Sequence, residues 1–209
     1  MHKKILAILM LLAVVLAVGA PAFAQALEEL AKQQISQKTG LDPNQLAVLF
    51  INGDTGQFIL AFALINEKMM QSSLKPEIKQ AVAPFVGQKA LLTLVAPSQV
   101  STFDPFQISF QQNGQKLGVN SITPVTNDFA PGTLQPQTVS AGVLSLNASL
   151  DVAKNFKIFY GSQSTTFSIS GKSDQPSGSS NGIPNILLFL QIIFFQILLI
   201  FLIPFLLGI

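Results

Sequence analysis

The sequence predicts a mainly β protein with two short helices: an extracytoplasmic antiparallel β-sandwich, preceded by a helix, hairpin and helix segment and followed by one transmembrane helix. Three observations carry this expectation. Between residues 90 and 170, short runs of alternating apolar and polar residues recur between turn formers. Before them, two stretches with helical spacing flank an apolar hairpin. Near each end of the chain lies a long uncharged apolar run, one over residues 5–18 and one over residues 186–209. The expected organisation is a signal peptide over residues 1–24, the helix, hairpin and helix segment over 25–88, the β-sandwich over 89–170, a linker over 171–182 and a membrane helix over 183–209.

The N-terminal stretch opens with Lys3 and Lys4, continues with the apolar run, and reaches small residues at Ala22 and Ala24. Signal peptidase requires small side chains just before its cut, so cleavage after Ala24 is expected. That cleavage removes two of the twelve basic residues and leaves ten lysines against ten acids. The mature chain then carries no net charge, and no nucleic-acid partner is expected. All the basic residues are lysines, so the planar fork that grips phosphate and guanine bidentately is missing. With no cysteine, an exported domain must be held by its own core, which about 150 residues can supply.

Along residues 26–38, Leu27, Leu30, Ala31 and Ile35 fall at helical spacing, and Gly40 is the expected stop. The helix suits either packing on its own domain or docking at a surface. LAVLFI (46–51) and QFILAFALI (57–65) surround NGDTG, whose Asn-Gly pair and second glycine suggest a tight turn with positive φ angles. On the second strand Phe58, Leu60, Phe62 and Leu64 share one face and Ile59, Ala61, Ala63 and Ile65 the other, so both faces are expected to be covered. From Leu74 to Val86 the helical period returns, with Ser73 as the expected N-cap, Pro76 in the first turn and Gly87 as the stop.

Beyond Gly87 the pattern is that of strands: ALLTLV (90–95), DPFQISF (104–110), QKLGV (115–119), TVSAGVLSLNA (138–148), FKIFY (156–160) and STTFSIS (164–170). Asn113-Gly114, Pro131-Gly132 and Gly161 punctuate them. In DPFQISF, alternation places Phe106, Ile108 and Phe110 on the buried face. The stretch from residue 90 to 170, with LQPQTVSAGVLSLNA followed by FKIFYG and STTFSIS, resembles the immunoglobulin-like β-sandwiches of bacterial surface and lipoprotein ectodomains. That resemblance implies binding or architecture rather than catalysis.

GKSDQPSGSSNG (171–182) has the composition of a flexible tether. Residues 186–209 would form a helix about 36 Å long at 1.5 Å per residue, enough to cross a hydrocarbon core of about 30 Å. Gln191 and Gln196 are its strongly polar side chains and the expected contacts to a partner helix in the membrane. A competing reading of the tail is a glycolipid-anchor signal, with Ser177-Gly178-Ser179 as the small residues at its processing site.

The single histidine is His2, inside the expected signal peptide. A mature chain without imidazole or thiol lacks Ser-His-Asp and Cys-His catalysis and most zinc or copper sites, so no catalytic residue, metal or cofactor is expected. Ser72-Ser73-Leu74-Lys75 and Lys38-Thr39-Gly40 match two fragments of penicillin-binding enzymes, but in reversed order. NGDTG has one carboxylate where a calcium loop needs several oxygen ligands. Glu28 and Glu29, adjacent on a helix, are expected to diverge. Asn147-Ala148-Ser149 fits a glycosylation acceptor. The expected function is that of a membrane-anchored envelope protein whose β domain binds, scaffolds or assembles with a protein partner or with itself. The competing classes are a small extracytoplasmic enzyme using carboxylate or lysine chemistry, and a viral or surface-layer structural protein.

Overall fold

The computed structural model describes residues 20–168; residues 1–19 of the expected signal peptide, the linker, and the apolar tail with Gln191 and Gln196 lie outside the described residues. Helix α1 spans Ala20–Thr39 and stops where expected. Gly40 adopts φ +69°, and its amide donates to Ser36 O at 2.7 Å. Asp42 then caps a 3-10 turn over Pro43–Gln45, accepting from Asn44 N at 2.9 Å. From there the chain enters β1 (Leu46–Gly53), which pairs antiparallel with β2 (Gly56–Leu64) from Leu46↔Ala63 to Gly53↔Gly56.

The hairpin turn differs from its expected form. Of its two glycines only Gly56 takes a positive φ, +113°. Asp54 and Thr55 make the turn itself, and the left-handed residue follows it. Gly56 is required for a second reason, because a Cβ there would lie 2.8 Å from Ser101 Cα of a later strand.

The second helical stretch divides. Asn66 caps a short α2 (Glu67–Met70), accepting from Met69 N at 3.1 Å, which the apolar periodicity does not announce. Helix α3 runs only over Pro76–Val82, followed by a 3-10 turn over Ala83–Phe85. Pro84 has no amide hydrogen to continue the α-helical ladder. Ser73 is not the cap: Lys75 holds that position without a side-chain bond, and Ser73 N donates to Thr39 O at 2.7 Å. The stop at Gly87 is as expected, with φ +81°.

The remaining chain supplies β3 (Ala90–Pro97), β4 (Ser101–Phe103), β5 (Ile108–Gln112), β6 (Gln115–Pro124), β7 (Gly132–Leu134), β8 (Ser140–Leu146), β9 (Phe156–Tyr160) and β10 (Gln163–Phe167). Eight strands form one antiparallel sheet in the order β1-β2-β3-β8-β6-β5-β9-β10, and β4 pairs with β7 in a short ribbon. The hairpin β1-β2 therefore belongs to the same sheet as the later strands. The sheet curls until its first and last strands lie side by side, where Gln163 Nε2 donates to Asn52 O at 2.9 Å.

One face of every strand points into a shared core. Leu49, Phe58, Leu60 and Leu91 meet Phe110, Leu144, Phe156 and Ile158 there, with Phe103 and Leu134 of the β4-β7 ribbon. At one end Tyr160 stacks on Phe103 (6.0 Å between centroids) and meets Phe58 edge-on at 5.4 Å. A second cluster lies on the opposite face of β2, β3 and β8, where Ala63, Leu92, Ala141 and Val143 are covered by Met69 of α2, Val82 of α3 and Phe85 just after it. Strand β2 is thus an internal strand with both faces covered, as its composition predicts.

Strand β6 joins the two halves of the sheet. Its residues Gln115 to Gly118 pair with β5, and Val119 to Pro124 pair with β8. Asn120 is a bulge: Val119 faces Leu146 while Ser121 faces Ser145. The extra residue bends the strand and resets its alternation, so Val119 and Ile122 both turn toward the core.

One expected strand is shorter than its sequence pattern. Asp104 caps a 3-10 turn over Pro105–Gln107, accepting from Phe106 N at 3.0 Å, and β5 begins only at Ile108. Phe106, expected on the buried face, is 73 % exposed. The local Asp-Pro capping geometry overrides the two-residue period.

Candidate functional site

A cleft of about 360 Å³ opens where α1 hands over to β1 and β2 hands over to α2. Leu41, Ala63, Leu64 and Met69 give it an apolar lining, and Gln45, Asn66 and Gln71 give it amides. Asp42 and Lys68 add one carboxylate and one ammonium. Two of the amides are fixed: Asn66 Nδ2 donates to Gln45 Oε1 at 2.7 Å while its Oδ1 caps α2. The chain builds this corner because Gly40 permits the reversal after α1 and Asn66 starts a helix directly after a strand. The chemistry is that of hydrogen bonding to a small polar ligand. Asn66 followed by Glu67 was a visible cap signal, but only folding sets it beside Gln45.

The two penicillin-binding fragments do come together. Ser73 N donates to Thr39 O, and a Cβ on Gly40 would lie 3.0 Å from Ser73 N. Their hydroxyls are nevertheless spent on the backbone. Ser72 Oγ is buried and donates to Met69 O at 2.6 Å; Thr39 Oγ1 donates to Ile35 O at 2.6 Å. Lys75 is exposed at the start of α3. The junction serves to seat α1 against the loop before α3.

Glu28 and Glu29 converge, contrary to expectation. Lys32 lies one turn on and reaches both, at 3.0 Å and 3.1 Å. Burial alone would depress the Lys32 ammonium, but the two carboxylates outweigh it and hold its pKa above the ordinary value. Glu28 also accepts from Thr165 Oγ1 of β10 at 3.1 Å, tying α1 to the last strand. This carboxylate pair is occupied in holding the helix.

Asp128 and Tyr160 are also displaced from their ordinary pKa. Burial would raise Asp128, yet hydrogen bonds from Ser140 (2.6 Å) and Thr126 hold it below the usual carboxylate value. Burial pushes the Tyr160 phenol up, while its Oη accepts from Asp104 N at 3.0 Å. Asp54 of NGDTG is an exposed turn residue, and no group of three or more His, Cys, Asp or Glu suited to a metal occurs among the described residues. Asn147 Oδ1 accepts from Ser149 N at 2.9 Å, closing the acceptor triplet into a local turn. No described helix is long and apolar enough to cross a membrane. Comparison with family models, curated proteins and solved structures finds no match for this chain.

Proposed function

We propose that this chain is a membrane-anchored cell-envelope protein whose extracytoplasmic β domain binds, scaffolds or assembles with a partner. The observation that carries this reading is the placement of the β body between two long uncharged apolar runs, one in a signal-peptide context and one long enough to span a bilayer. Within the β body the reading takes the two halves of the sheet as the layers of an immunoglobulin-like sandwich, with β6 turning the corner between them. Residues of both halves in one core support that arrangement. In such a setting the amide-lined cleft and the exposed strands serve recognition.

The test is fractionation of the full-length protein, followed by protease treatment of intact cells or spheroplasts. The expected result is a carbonate-resistant membrane species whose β domain is digested from outside. Recovery in the supernatant after carbonate extraction would overturn the reading. A catalytic activity abolished by a single Asp or Glu substitution would instead favour an extracytoplasmic enzyme.

A further inference from the structure

The charges of the β body are sorted by end. Neighbouring strands of the sheet are all antiparallel, so each connection falls at one of two ends. The upper end holds the β1-β2 turn, the chain from β3 to β5 and from β6 to β8, and the β9-β10 turn. Backbone bonds tie it together: Thr102 N donates to Thr55 O at 2.6 Å, and Gly161 N to Gln107 O at 3.4 Å. The lower end holds α2, α3, the β5-β6 turn and the loop from β8 to β9, where Lys89 Nζ donates to Ala148 O at 2.7 Å.

The upper end carries Asp54, Asp104 and Asp128 and, among the described residues, no lysine. The lower end carries seven lysines against four acids, Asp42, Glu67, Glu77 and Asp151. Lys68 lies on α2, Lys75 and Lys79 at the start and within α3, and Lys116 and Lys157 near the lower ends of β6 and β9. Lys89 and Lys154 complete the set, and all but the half-buried Lys79 are exposed. Of the seven only Lys154 has a carboxylate partner among the described residues, Asp151 at 3.2 Å. Helix α1 is balanced, with Glu28 and Glu29 against Lys32 and Lys38. The neutral sum therefore hides an excess of three negative charges above and three positive charges below.

We infer that the lower end of the β body docks on the anionic headgroups of the membrane that anchors the chain. The inference rests on the proposed anchoring, and two observations fix the direction. Charge is complementary only at the lower end, since the three upper carboxylates would be repelled by the same surface. The chain also leaves there: β10 runs down from Gln163, opposite Tyr160, to Phe167, opposite Phe156, and the apolar run of residues 186–209 follows in sequence. Each lysine brought within a Debye length of about 8 Å of an anionic bilayer raises the ratio of docked to free body about five-fold. Docking in this sense sets the cleft lined by Lys68, Gln45 and Asn66 at the headgroups and turns the exposed Val100, Phe106 and Val139 outward, toward any protein partner.

The chain has no cysteine, so one introduced cysteine carries one fluorophore. Gln88→Cys at the lower end and Thr55→Cys at the upper end, both exposed positions, would be labelled in the full-length protein. Each is reconstituted into vesicles of phosphatidylcholine, alone or mixed with phosphatidylglycerol, that contain a lipid with a nitroxide quencher on its headgroup. Quenching of the Gln88→Cys label is expected to be stronger in the anionic vesicles than in the neutral ones, and stronger than that of Thr55→Cys. Salt at about 1 M, where the Debye length is about 3 Å, is expected to remove the excess. Combining Lys68→Gln, Lys75→Gln and Lys116→Gln, all at exposed positions, is expected to lower the docked-to-free ratio about a hundred-fold. Equal quenching of Gln88→Cys in the two lipid mixtures, or stronger quenching of Thr55→Cys, would overturn the docking while the protein stays carbonate-resistant. Release by carbonate would instead remove the anchoring, and the docking with it, so the two failures are distinguishable.

Discussion

The two halves of the sheet solve the same burial problem differently. In β1, β2, β3 and β8 both faces are covered: Leu49, Phe58, Leu60 and Leu91 point into the shared core, while Leu46, Ala63, Leu92 and Val143 lie under the helical segment. In β5, β6, β9 and β10 the inner face is apolar and the outer face mostly polar, with the half-buried Phe159 of β9 as an exception. Phe110, Leu117, Ile158 and Phe167 are buried, whereas Lys116, Lys157, Ser164 and Thr166 are exposed on the other side. The consequence is visible in composition. The first half reads as continuous apolar runs such as LAVLFI and ALLTLV, and the second alternates, as in ISFQ of β5. A strand can afford polar residues on one face only if nothing packs there.

The sharpest way to break this contrast is to place the same charge on the outer face of each half. Leu92→Lys puts an unpaired ammonium into the cluster beneath α2 and α3, and the expected loss is about 3–5 kcal/mol of unfolding free energy in urea. Ser164→Lys, exposed on the outer face of β10 opposite Phe159, is expected to change stability by no more than about 0.5 kcal/mol. Similar losses at both sites would mean that the second face is also covered.

A smaller effect probes the inner face of the covered half. Gly142 on β8 lies under the Phe129 ring, and a Cβ there would fall 2.7 Å from Phe129 Cγ and nearer still to other ring carbons. Gly142→Ala is expected to cost about 1–3 kcal/mol, as overpacking in a filled core does. Gly118→Ala on β6, where an added Cβ meets nothing within 4 Å, is the control and is expected to leave the melting temperature nearly unchanged.

The smallest expected effect has the opposite sign. Thr93 is fully buried between Phe62 and Gly142 in the strand register, and its Oγ1 has no hydrogen-bond partner among the described residues. Thr93→Val removes that hydroxyl at nearly constant shape and is expected to stabilise the protein by about 1 kcal/mol. A loss of stability on calorimetry would show that the hydroxyl is satisfied in solution.

Much of the fold was legible residue by residue. FKIFY delimits β9 without error, the helical spacing after Gln25 locates the later part of α1, and Gly40 and Gly87 mark two reversals. The failures occurred where a local cap outweighed the repeating pattern. Asp104 with Pro105 turned Phe106 outward, Pro84 shortened α3, and Asn66 began a helix too brief to show a period. Strands β4 and β7, each three residues long, are likewise too short for alternation to register.

The candidate cleft belongs to another category, because its parts are distant in the chain. Nothing in one dimension tells that Gln45 will meet Asn66, that Glu28 will reach Thr165, or that Thr39 will meet Ser73. The sequence by itself determined the β-rich class, the apolar ends, the neutral charge of the expected mature chain and its lack of imidazole and thiol, because these follow from composition and near-neighbour periodicity. Only the tertiary structure decided what covers each face, where β6 bends and loses its neighbour, and which polar groups converge. Those outcomes depend on strand order and register, which long-range packing selects after the local pattern has fixed each element.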